Sequence, residues 1–228
     1  ASFSVPELQV KGAGETVIVP RAIPQTVIAM AEVGIKRNDP DWYAGQILNY
    51  VLGGGGFNSR LMEDVRGAGT KRGLSYGVYS AFTPYRHGGI IQAGGATKNA
   101  TAGETVSIIK GEFGRMHDSG ITAAEMENAK VYLTGSLPLT LTSTDRIAAI
   151  LMQLRSEDLG IDYLDRRDGL INGVTLDDAN RVARKLLAPA LLTTVLVGKP
   201  EGLGKTAVTV PAAGSSSGGG TTVKSLEK

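Results

Sequence analysis

The 228-residue sequence contains no cysteine. That excludes a disulfide framework, a thiolate metal site and a cysteine nucleophile. Histidine is almost as scarce. His87 and His117 are the only two, they lie 30 residues apart, and no pair of metal ligands stands at helical spacing. No serine sits in a nucleophile-elbow context. No apolar run approaches the roughly 20 residues that cross a bilayer, so no membrane span is expected. Charge of one sign is not in excess either. The 24 basic and 22 acidic residues are spread along the chain for a net charge of +2, whereas nucleic-acid binding calls for a clustered basic face. No basic segment followed by an apolar one opens the chain, so no signal peptide is visible. Ala1 in place of an initiator Met reads as a processed form or an excised fragment.

What is present reads as an α+β chain: an antiparallel sheet with helices packed mainly on one face. A polar leader, 1–14, precedes one domain at 15–202, and a Gly/Ser/Thr-rich tail at 203–228 is expected to be flexible. Thr16 to Val19 reads as a strand stopped at Pro20. Gln25 to Val33 is apolar on both faces, as in a strand covered on both sides. In Asn38-Asp39-Pro40-Asp41, Asp39 is the expected N-cap and Pro40 the first helical residue. The helix carries Trp42, Tyr43, Ile47, Leu48 and Leu52, and the glycines from Gly53 are expected to end it. A second helix opens near Asn58 or Ser59 and buries Leu61, Met62 and Val65. Tyr76 to Ala81 and Gly88 to Ala96 read as paired strands joined through Thr83 to Gly88.

The second half is mainly helical. Thr101/Glu104, Thr122/Glu125 and Thr175/Asp178 match the capping-box pattern. Behind them run apolar stripes at three- and four-residue steps: Val106, Ile109, Phe113 and Met116; Met126, Ala129 and Leu133; and Ala179, Val182, Ala183, Leu186 and Leu187. A further helix from about Asp145 carries Ile147, Ile150, Leu151 and Leu154, and Pro138 ends or kinks the helix before it. Leu191 to Val197 is the last strand.

The segment from Leu52 to Leu61, with Gly53, Gly54, Gly55 and Gly56 followed by Phe57 and Asn58, is the most informative. A phosphate loop would need a strand before the glycines and Lys-Ser/Thr after them. Here a helix precedes them and Phe57-Asn58-Ser59 follows. A helix–helix connector accounts for a turn, yet four consecutive glycines carry a backbone-entropy cost that a shorter turn would avoid. Close approach of another backbone, such as a peptide, is the additional reading. Arg66 and Tyr76 then form a candidate pair. A phenol O–H can donate to the oxyanion of a tetrahedral intermediate, and a guanidinium can hold a peptide carbonyl or the same developing charge.

The pattern from Leu52-Gly53-Gly54-Gly55-Gly56-Phe57-Asn58-Ser59-Arg60-Leu61 through Arg66 to Lys71-Arg72-Gly73-Leu74-Ser75-Tyr76-Gly77-Val78-Tyr79-Ser80 resembles the pitrilysin/insulinase/mitochondrial-processing-peptidase family of zinc peptidases. The Asp39-Pro40-Asp41 helix start, Gly94-Gly95-Ala96-Thr97 and Leu133-Thr134-Gly135-Ser136-Leu137 support it, and the resemblance runs from about Thr16 to Gly198. It implies α+β units that close as a clamshell. One half carries an inverted H-x-x-E-H zinc motif. This sequence has no such motif, so it resembles the zinc-free half or a separate partner subunit.

Several expectations follow from the resemblance. No cofactor belongs to this chain, and zinc belongs to the partner half. The partners are that H-x-x-E-H half, in the same polypeptide or as a separate subunit, and an extended peptide substrate. Tyr76 corresponds to the family tyrosine. The family arginine usually lies seven positions earlier, where this sequence has Gly69. Gly67-Ala68-Gly69 reads as a small insertion that keeps Arg66 as the functional arginine, with Arg72 as the alternative. Gly53 to Gly56, Phe57 and Asn58 correspond to a substrate-contacting glycine-rich loop. A noncatalytic scaffold subunit of the same family is the alternative role. Bacterial relatives point towards the periplasm, and nothing in the sequence itself selects a compartment.

Overall fold

A computed structural model describes residues 13–67, 73–75, 77–85, 87–204 and 207–210. The chain begins with strands β1 (Thr16–Pro20) and β2 (Gln25–Val33), followed by helices α1 (Trp42–Asn49) and α2 (Arg60–Arg66). The hairpin β3 (Val78–Tyr85) and β4 (Gly88–Lys98) comes next. Six helices follow: α3 (Ala102–Ser119), α4 (Ala123–Gly135), α5 (Leu137–Thr140), α6 (Thr144–Ser156), α7 (Tyr163–Asn172) and α8 (Leu176–Leu186). Strands β5 (Thr193–Gly198) and β6 (Val208–Thr209) close the described part. None of the described helices is long and apolar enough to cross a membrane.

The strands form one sheet in the order β3-β4-β2-β5-β1-β6. The pairs from β3 to β5 are antiparallel, as expected, but β1 runs parallel to both β5 and β6. Strand β6 falls within the segment expected to be a flexible tail, and Val17 faces Val208 there.

Register sets the core. Met30 lies opposite Ala93 on one side and Thr194 on the other, and Ile28 lies opposite Leu196. Strand side chains alternate in direction, so these residues share one face of the sheet. Ile28, Met30, Ala93 and Leu196 are buried with Ile91 and Val78 beneath α1, α3 and α8. The expected stripes supply the other side: Val106, Ile109, Phe113 and Met116 from α3, and Ala179, Val182, Ala183 and Leu186 from α8.

The opposite face corrects the expectation that β2 is covered twice. Val27 and Val33 are 47% and 51% exposed there. Their shared face also carries Ala29 and Ala31, so apolar letters in β2 do not by themselves report burial. A second correction concerns α6. Of its apolar stripe only Leu154 is buried, and Leu151 is 57% exposed.

The helix starts divide in the same way. Thr122/Glu125 and Thr175/Asp178 form both halves of the capping box. Thr101 does not: its hydroxyl donates to the Lys98 carbonyl and pairs with Thr97 instead. Helix α1 starts two residues later than expected, at Trp42. Asp39 accepts the Asp41 backbone N–H at 2.8 Å, a local Asx bond rather than a helix cap. Asp41 turns inward to Arg181 at 2.8 Å and Lys185 at 2.6 Å, tying the head of α1 to α8. The hydrogen bond from Arg181 leads the effects that hold its carboxyl below the usual range.

Among the described residues, Glu32, Glu112 and Thr194 each leave one buried side-chain oxygen without a hydrogen-bond partner, and Glu32 has the largest consequence. It is 7% exposed, its Oε2 accepts the Ala188 N–H at 3.2 Å, and its Oε1 has no partner. Burial pushes its carboxyl up to about 8, against a smaller lowering by that N–H. From the ordinary carboxylate range up to about 8, the folded chain therefore holds a proton that the unfolded chain releases. Stability falls as pH rises through that window. Glu32→Gln should flatten this slope and exceed the parent in stability at its alkaline end. Urea unfolding between about pH 5 and about pH 9 checks it, and parallel pH profiles for both chains would refute it.

Candidate functional site

The glycine run does not stop α1. It forms the helix's wide last turn, a π-helical turn at Tyr50–Gly54 in which the Gly55 N–H reaches back to the Tyr50 carbonyl at 2.9 Å. Packing explains most of the glycines. A Cβ on Gly53 would stand 2.4 Å from the Ser80 backbone nitrogen in β3, and one on Gly55 would stand 2.7 Å from the Tyr50 carbonyl oxygen. A Cβ on Gly54 would meet the Asn49 side-chain amide at 2.5 Å, and that amide oxygen already accepts the Ser80 hydroxyl at 2.8 Å. Gly56 differs. Its φ of +60° lies in the left-handed region, and open space surrounds it. A 3-10 turn (Gly56–Asn58) follows, and the Ser59 hydroxyl donates back to the Gly56 carbonyl at 2.7 Å before α2 begins.

Strand β3 ends the sheet, and among the described residues no strand pairs beyond it. Between the glycine turn and the start of β3 lies an open trough of about 480 Å³. Gly53, Gly54 and Gly56 line one part of it, Gly77, Val78, Tyr79 and Ser80 another, together with Met62 and Gly95. Arg66 follows Met62 by one helical turn and so shares its face of α2. The Arg66 guanidinium lies over the Phe57 ring, 4.7 Å from its centre, and Phe57 is 72% exposed. Arg66 and Phe57 thus form one exposed cation–π pair beside the trough.

The sequence candidates are therefore only partly assembled. Gly53, Gly54 and Gly56 meet at the trough, with Arg66 and Phe57 beside it. Gly55 packs against the Tyr50 ring instead. Asn58 opens into a different hollow, with Tyr50, Glu125, Asn128 and Tyr132. Tyr76 and Arg72 lie outside the described residues, although Gly77, the residue after Tyr76, lines the trough. Tyr79, Ser80 and Met62 were not singled out from the sequence. The step of two from Val78 points to Ser80 and the four-residue step from Met62 to Arg66 points to Met62, whereas Tyr79 falls on the other face of β3 and carries neither signal.

Helix α2 is pinned in place by Arg60. Its guanidinium donates to both Glu125 oxygens, at 2.7 and 2.8 Å, and to the Gly120 carbonyl at 3.1 Å. Burial alone would raise the Glu125 carboxyl, but Arg60 and then Thr122 outweigh it and hold it at about 2. A bidentate charge-assisted pair of this kind fixes orientation as well as distance.

The described residues offer no set that fits a zinc ion. His87 lies in the turn between β3 and β4, and His117 in the last turn of α3, where it meets Asp118. Among the described residues no group of three or more His, Cys, Asp or Glu side chains could share a metal.

The two kinds of glycine should respond differently to substitution. Gly53→Ala forces a methyl into the β3 backbone and should cost about 1–3 kcal/mol. Gly56→Ala meets no neighbour and should cost only the left-handed strain, about 1 kcal/mol, and Gly56→Asn less. Chemical unfolding of the three variants gives the order, and equal losses at Gly53 and Gly56 would contradict this account of the turn.

Comparison with known proteins agrees with this fold. Residues 3–133 match the family model described as the peptidase M16 inactive domain. An uncharacterized zinc protease of Streptomyces coelicolor is 29% identical over 181 residues, 78% of this chain and 38% of that protein. A non-peptidase homolog, YmxG, of Helicobacter pylori is 37% identical over 109 residues, 46% of this chain and 23% of that protein. The crystal structure of a peptidase M16 inactive domain from Pseudomonas fluorescens superposes with a TM-score of 0.74 at 29% identity, covering 90% of this chain and 48% of that one. The chain thus spans less than half the length of each of these relatives. With a match over more than half of its residues to one family model, the chain belongs to the peptidase M16 inactive domain family.

Proposed function

We propose that this chain is the zinc-free half of a metalloendopeptidase, closing over an extended peptide that a zinc-bearing H-x-x-E-H half cleaves. The observation that carries the reading is the trough. A surface lined by five glycines, together with Met62, Val78, Tyr79 and Ser80, lies at the terminal strand of a sheet, with an exposed guanidinium beside it. An extended peptide can approach glycines closely and add to a strand edge through main-chain hydrogen bonds. In this reading the zinc of the partner half supplies the Lewis acid. This chain's residues bind and orient: Gly53, Gly54 and Gly56 admit the peptide backbone, and Arg66, steadied on Phe57, holds a peptide carbonyl. Tyr76 donates its O–H to the developing oxyanion. Arg72 replaces Arg66 if the glycine insertion displaces it.

A scaffold role is the second reading, and the non-peptidase name of the H. pylori relative favours it. That role needs neither Tyr76 nor Arg66. Reconstitution with an H-x-x-E-H half separates the two on an unstructured peptide. Tyr76→Phe should raise the barrier read from kcat/KM by about 2 kcal/mol or more, the loss of one oxyanion donor, whereas Tyr85→Phe, at the far end of β3, should leave it near the parent value. Arg66→Gln should weaken turnover as well. An unchanged rate in Tyr76→Phe favours the scaffold, and peptide cleavage by the isolated chain would overturn the division between halves.

A further inference from the structure

A second site lies in the helical layer and shares no residue with the trough. Beneath α6, walled by α1, α4, α5 and α7, is a cavity of about 310 Å³. That is the lower end of the volumes that hold small ligands. At about 30 Å³ per water-sized group it admits on the order of ten non-hydrogen atoms. Leu133, Leu137, Ile150 and Leu164 give it apolar walls.

Its charged lining is asymmetric, with two guanidiniums, Arg37 and Arg167, against one carboxylate, Glu157. Arg37 is already engaged. Its Nε donates to Glu157 at 2.8 Å and its Nη2 to the Tyr163 hydroxyl at 2.9 Å, with the guanidinium 4.8 Å from the Trp42 ring centre. Glu157 is thereby spent on Arg37. Arg167, only 18% exposed, meets Asp168 at 3.2 Å, but Asp168 is 51% exposed and lies outside the lining. A pair with so exposed a partner contributes little. With Glu157 held by Arg37 and Asp168 outside the lining, the cavity wall carries one positive charge in excess, at Arg167, where an anion would be favoured. The roof can yield for entry, because α6 buries only Leu154.

We propose that this cavity binds a small monoanionic amphipath: an apolar body of about eight carbons among the leucines, with its carboxylate on Arg167. Trp42 is the sole tryptophan of the chain and lines the cavity, so its emission reports occupancy directly. The 228-residue chain is titrated with octanoate and, in parallel, with 1-octanol, which has the same apolar body without the charge. Octanoate should change Trp42 emission saturably and raise the Tm. It should bind at least about tenfold more tightly than octanol, the preference a charged hydrogen bond supports. Arg167→Gln should reduce octanoate to the level of octanol, Arg167→Lys should retain part of the preference, and Leu164→Phe should fill the cavity and weaken both ligands. A non-saturating response, equal affinity for the two ligands, or an undiminished preference in Arg167→Gln would overturn the proposal. The two-ligand comparison on the unaltered chain decides without any variant having to fold.

Discussion

The approach of the π-helical turn to β3, at Gly53 against the Ser80 backbone, is the contact on which the rest of the site depends. It brings the end of α1 against the terminal strand at a separation that no side chain fits between. The Ser80 hydroxyl meets the Asn49 side chain, so a polar bond holds the strand to the turn that the glycine contact seats. From that seat Gly54 and Gly56 fall beside the trough and α2 starts in the right place. Met62 and Arg66 then take positions fixed by helical spacing alone.

Two ionic ties support this arrangement from behind. Asp41, with Arg181 and Lys185, fastens the head of α1 to α8. Arg60, with Glu125 and the Gly120 carbonyl, fastens the head of α2 to the link between α3 and α4. Neither tie has to contribute much net stability, because desolvation offsets much of the Coulombic gain in partly buried pairs. Their effect is on geometry. Each joins elements distant in sequence, and together they hold both helices that flank the glycine turn. The trough is therefore bounded by parts whose mutual positions do not rest on the glycines alone.

How much of this was legible in the sequence depended on how local the cause was. The Thr122 and Thr175 capping boxes are local and formed as read. Thr101 carries the same pattern, but the strand end at Thr97 and Lys98 offers its hydroxyl nearer partners. Asp39 and Asp41 were both visible as a helix start. Neither side chain caps it, because Asp39 accepts the Asp41 N–H and Asp41 is drawn to Arg181, 140 residues away. The stripes of α3 and α8 were read correctly because the sheet covers α3, and α1 and α3 cover α8. The similar stripe of α6 was not, because periodicity names a face without naming what covers it. At the site, the pattern found the glycines and Arg66. It could not separate Gly53, needed for packing, from Gly56, needed for its left-handed φ, since one letter serves both demands.

Under the proposed function, this distinction bears on how a zinc-free half could present a peptide-binding surface. A zinc site is made of side chains at fixed spacing, and changing two or three of them removes it. The trough is lined in part by glycine backbone, and its walls are held by a close contact and two ionic ties elsewhere in the chain. The two can therefore be lost independently. A chain with only two histidines, in separate elements, can still present the glycine turn, the strand end and the guanidinium together. Under the proposed division of labour that is the expected outcome. In that proposal the surface takes its geometry from the glycine contact and the two ties rather than from an ion.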